Sequence, residues 1–188
     1  MRVDLRELWA QADKLDDDEA VQCLVQAHDE YDAHGDRDAA ARCLRRATLR
    51  RTRSGDFADA LRLVEMLAAE TDDVEDILVA GIVCEWLGLD GTSRDQFELA
   101  RRDATSPQLE VMATSLLTIH GNPQPLDDSE STAAAVALAR AYVAMNLNAD
   151  ALAVIVNAMW RAPRSYDAFA FAIEGIWEGK FHSRDSML

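Results

Sequence analysis

Three 34-residue windows of this chain carry small, large and aromatic side chains at matching intervals. Residues 132–165 supply Leu138, Ala139, Tyr142, Ala151, Ile155, Ala158 and Pro163. Residues 21–54 supply Leu24, Ala27, Tyr31, Ala40, Leu44 and Ala47, with His28 in the place of Ala139. Residues 74–107 supply Ile77, Ala80, Gly81, Cys84, Phe97 and Ala100, with Ser93 in the place of Ala40 and Ala151. Apolar residues three and four apart line one face of a helix. Each window therefore reads as a helix, a turn and a second helix, with Gly35 and Gly88 at the turns of the first two. One such hairpin cannot bury its apolar face alone, so the chain must stack hairpins side by side.

Composition agrees with a helical stack. Apolar residues make up 49% of the 188, only 6% are aromatic, and four prolines and eight glycines leave few breaks. Ala and Leu dominate, which favours packed helices over sheets. The spacing predicts helices over Arg2–Leu15, Glu19–His34, Asp36–Thr52, Phe57–Glu70, Val74–Leu87, Thr92–Asp103, Pro107–His120, two within residues 132–165, and Ser165–Glu178. Acidic clusters at Asp16–Asp18 and Asp72–Asp76 precede helices, where backbone N–H groups lack partners and the dipole is positive. The expected loop is Gly121–Glu130, and Gly179–Leu188 reads as a frayed tail.

The windows resemble the tetratricopeptide repeat (TPR), whose pattern is W-x2-L-G-x2-Y…A-x3-F…P. The opening RELWAQADKL followed by an acidic break is similar to the start of bacterial TPR-like proteins of undefined role. The windows start at Val21, Val74 and Thr132, too far apart for contiguous repeats, so an extra helix is expected after each hairpin. The resemblance implies an all-α, right-handed α-α superhelix, a TPR-like solenoid of about ten antiparallel helices. It implies one repeat domain over 1–178, with repeats at about 21–54, 74–107 and 132–165. Helices at 56–70 and 107–120 intervene, and 165–178 caps the stack.

In this family the first helix of each repeat lines a concave groove. Carried over, the groove residues are Gln22, Val25, Asp29 and Asp32 in the first repeat, and Glu75, Leu78, Ile82, Glu85 and Trp86 in the second. The third offers Val136, Arg140 and Val143. Members that clamp a peptide carboxylate use Lys, Asn and Arg at matching positions. Here only Arg140 matches, so the resemblance does not extend to a chaperone-type clamp. If the inserted helices fill the groove instead, Trp86 belongs to the core.

The formal charge of -15 disfavours nucleic acid and steers a basic protein or peptide toward the surface; solubility is the plainer account of the same charge. Against this background Arg37, Arg42, Arg45, Arg46, Arg50, Arg51 and Arg53 crowd one helix. They form either a docking strip for an acidic or phosphorylated segment or, as the surplus acid favours, internal ion pairs. Cys23, Cys43 and Cys84 form no CxxC pair and read as buried thiols of a reducing cytosol. The charged N-terminal residues lack a signal-peptide core, and no apolar run is long enough for a membrane span.

No catalytic or metal-binding motif is visible, so no enzyme activity, cofactor or metal is expected. His28, His34, His120 and His182 lack ligand spacing; one reads as a packing histidine and two as surface residues. The expected function is a non-catalytic interaction module, a scaffold or adaptor binding a protein segment or a second copy of itself on its groove. The alternative is a small acidic inhibitor or immunity-type protein that masks a basic surface.

Overall fold

The computed structural model describes residues 4–120, 129–145, 147–161 and 166–178. The described residues form ten helices: α1 (Leu5–Ala12), α2 (Asp17–Ala33), α3 (Arg37–Ser54), α4 (Phe57–Glu70), α5 (Val74–Trp86), α6 (Asp90–Arg102), α7 (Pro107–His120), α8 (Ser129–Ala144), α9 (Asn148–Arg161) and α10 (Tyr166–Trp177). The expected all-α class and helix number are observed. Boundaries differ by a few residues: α8 begins at Ser129, so Ser129 and Glu130 leave the expected loop. Residues 121–128, Pro163 and the expected tail at 179–188 lie outside the described residues.

Local chemistry sets the helix ends. Asp4, Asp16, Asp36 and Asp56 each turn a carboxylate onto a backbone N–H of the first turn that follows, at Arg6, Glu19, Ala39 and Asp59. Asp17 and Asp18 then lie within the first turn of α2, where negative charge meets the positive end of the helix dipole. Three hairpin turns close in one way. Gly35, Gly55 and Gly88 have φ of 75°, 81° and 72°, a region costly for any residue with a Cβ. The amides of Asp36, Asp56 and Leu89 then reach back to the carbonyls of Tyr31, Arg51 and Cys84 at 2.9, 2.9 and 3.0 Å.

The chain divides into two compact units, Met1–Asp72 and Asp73–Leu188. In the first, α2 and α3 form a hairpin, α4 packs on α3 and α1 packs on α2. Its core includes Leu24, Leu44, Leu63 and Leu67, none with exposed surface. Ala40 and Ala47 are small enough to let the α2–α3 axes approach.

In the second unit α5 pairs with α6, α7 packs on α6, and α8 pairs with α9, which packs on α7. Helix α10 then packs on α5, α8 and α9. The last described helix thus returns to the first helix of its unit. Gly81 on α5 leaves room for α6 to approach: a Cβ there would lie 2.5 Å from Phe97 Cε1. Ala139, Ala151, Ile155 and Ala158 of the third window are buried, whereas Leu138 is exposed and Tyr142 is half-buried.

Candidate partner-binding surface

The arginine-rich helix α3 is neutralised largely within its own unit. Arg46 grips both carboxylate oxygens of Asp13 at 2.8 and 2.9 Å, with its guanidinium 5.1 Å from the Trp9 ring centre. Arg50 contacts Asp17 at 2.9 Å and Asp13 at 3.3 Å, and donates to the Ala12 carbonyl at the end of α1. Arg51 bridges Asp18 and Asp59, and Arg42 pairs with Asp38. These contacts answer the choice left open by the sequence: four arginines of the strip meet acids of the same chain. The Asp13 carboxyl is held below its ordinary value by hydrogen bonding from Arg46, against an opposing effect of burial. Burial pushes the Asp59 carboxyl up, but hydrogen bonds from Arg62 and Arg51 outweigh it and hold the group low.

With α3 so engaged, exposed acid remains on α2. Asp29, Glu30 and Asp32 are all exposed, and α2 carries no lysine or arginine. Gln22 and Gln26 extend the exposed polar face, and Val25 is half-buried beside it.

The groove residues expected in the second unit are placed differently. Leu78 and Ile82 are 0% exposed, and Val136 is buried. All three are enclosed, and α10 packs against both α5 and α8, the helices that carry them. Arg140 on α8 is directed to α10: its guanidinium lies 5.0 Å from the Phe171 ring centre and 4.0 Å from Glu174 Oε2. Glu75, Trp86 and Val143 are half-buried. Glu85 accepts a 2.6 Å hydrogen bond from the Ser93 hydroxyl on α6, an internal use for a residue expected to line the groove. Gln22, Val25, Asp29 and Asp32 belong to the first unit and the other eight expected residues to the second.

Two polar contacts were not legible in the sequence. His28 is buried between the carboxylates of Asp29 and Glu70. Its only signal was a histidine where the other windows have glycine and alanine. Asp76, 0% exposed, accepts a 2.7 Å hydrogen bond from Trp177 Nε1. No local signal announces a pair 101 residues apart.

Cys43 and Cys84 are buried, as expected, whereas Cys23 is half-buried. Burial pushes the Cys43 thiol up to about 11, which removes it as a nucleophile near neutral pH. Among the described residues no three His, Cys, Asp or Glu side chains gather where they could hold a metal ion, and no helix is long and apolar enough to cross a membrane. No family model, curated protein or solved structure matches this chain.

Proposed function

We propose that this chain is a non-catalytic protein–protein interaction module, a TPR-like scaffold or adaptor that takes a basic segment of another protein. The reading includes right-handed superhelical stacking of its hairpins, supported by the buried small residues of the three windows and the recurrent glycine turns. The observation that carries the function is the distribution of charge. Four arginines of α3 are paired in cis, while Asp29, Glu30 and Asp32 stand exposed on a helix with no lysine or arginine. An acidic face of this kind accelerates encounter with a Lys- or Arg-rich segment and disfavours acidic competitors.

The closed state of α5 and α8 favours a second reading, an acidic inhibitor or immunity-type protein that covers a basic surface without a groove. Leu78 and Ile82 then serve as core and offer a partner nothing.

Binding of a labelled Lys/Arg-rich peptide to the whole chain tests the common part of both readings. Affinity is expected to fall steeply as salt rises from 50 to ~300 mM, and to fall further in a Glu30→Lys, Asp32→Lys variant. Binding that ignores salt and this charge reversal, but is lost in Trp86→Ala, would place recognition on the second unit instead.

A further inference from the structure

We propose that Asp29, His28 and Glu70 form a proton-operated latch tying α2 to the last residue of α4. The device does not depend on the binding reading. The His28 side chain is 6% exposed. Its Nδ1 lies 3.0 Å from Asp29 Oδ1, and its Nε2 lies 3.0 and 2.9 Å from the two oxygens of Glu70. An ionised carboxylate only accepts, so each ring nitrogen needs its own hydrogen for both contacts to be hydrogen bonds. A neutral imidazole has one N–H. Only the imidazolium satisfies both sides at once.

The position of Glu70 gives the contact its leverage. It ends α4, and the following Thr71 amide still bonds back to the Leu67 carbonyl at 3.0 Å. The ring therefore pins the last turn of α4 to the middle of α2. Among the described residues, the charged groups acting on the ring are Asp29 from α2 itself and Glu70 from α4; α1 and α3, which also pack near α2, add none.

Burial pushes the imidazole down, but Glu70 and then Asp29 outweigh it, and the net effect is a raised value. A raised folded value fixes the direction. The stabilisation is complete below the unfolded value of about 6.5 and is lost as pH rises through the higher folded value. Deprotonation gives one proton to solvent, leaves one ring nitrogen as a lone pair facing a carboxylate, and loosens the end of α4.

Nitrogen-15 spectra of the histidines in the full chain, recorded from pH 5 to 10, test the latch. Both His28 ring nitrogens should be protonated at pH 6, with an inflection above the ordinary imidazole value. Glu70→Gln, at a partly exposed site that should still fold, should move that inflection down. Amide protection over Leu67–Thr71, corrected for intrinsic exchange, should fall roughly fivefold as pH crosses the wild-type inflection. A neutral His28 at pH 6, an inflection unmoved by Glu70→Gln, or protection indifferent to pH would each overturn the proposal.

Discussion

At the scale of single residues, Gly81 shows how one missing side chain sets a helix spacing. A Cβ at this position would meet Phe97 Cε1 and Cδ1 at 2.5 and 2.7 Å, and Gln96 Cβ at 3.2 Å. Phe97 is 0% exposed, so its ring has nowhere to retreat. Gly81→Ala removes a residue of poor helix propensity, which by itself would add about 1 kcal/mol of stability. Overpacking costs about 1–3 kcal/mol and should win. Chemical unfolding should therefore show a lower midpoint for the variant; a higher midpoint would mean that α5 and α6 are not held this close. The sequence carried part of this result. Gly81 stands at the small-residue position of its window, and Phe97 at the large one. The same reasoning failed at His28, because a residue type reveals its spacing but not the carboxylate 42 positions away that receives it.

At the scale of elements, α3 is held by guanidinium groups as well as by its apolar face. Arg51 and Asp59 are both mostly buried, with 13% and 23% of their side chains exposed, and lie 2.7 Å apart. Such a pair exceeds an open surface bridge but remains partly screened, so Arg51→Gln should cost roughly 1–2 kcal/mol at neutral pH. The Asp59 carboxyl is held low in the folded chain, with burial opposing and Arg62 and Arg51 prevailing. Its contribution is therefore present above the ordinary carboxylate range and disappears as pH falls through the lowered value. Urea unfolding at neutral pH and near pH ~2.5 should show the wild-type advantage shrinking in acid. An equal difference at both conditions would point to lost packing of the arginine stem instead. The arginine strip itself was plain in the sequence. Which acid each arginine meets was not, since Asp13, Asp17 and Asp18 come from a preceding helix end and turn.

At the scale of the molecule, the decisive event is the return of α10 to α5. Apolar residues occur on nearly every side of α10, from Ala168 to Ile176, as suits a helix enclosed by neighbours. The Trp177 indole N–H adds a direction to this burial by bonding Asp76 at 2.7 Å. Trp177→Phe keeps most of the ring but removes that donor from a carboxylate with no exposed surface. The loss should be about 1–3 kcal/mol, and hydrogen exchange should place it at the first turn of α5. Wild-type stability in this variant would show that Asp76 needs nothing from α10. Leu78 and Ile82, which the family resemblance implied would line a groove, lie in the interior of the same unit. The spacing within a window specifies how the two helices of one hairpin meet; it does not specify what a later helix lies against.

The chain's order of residues was enough to determine, to within a few residues, where helices begin and end, because caps, glycine turns and apolar spacing act locally. It was also enough to mark Gly81, Phe97, Ala40 and Ala47 as packing positions, since those contacts lie inside one hairpin. Tertiary structure alone decided that α10 packs on α5 and α8, that Glu70 receives His28, and that Arg46, Arg50 and Arg51 of α3 meet acids in cis. These pairings join segments far apart in sequence, and each is selected by which surfaces remain to be covered and which charges remain to be met after the hairpins have formed.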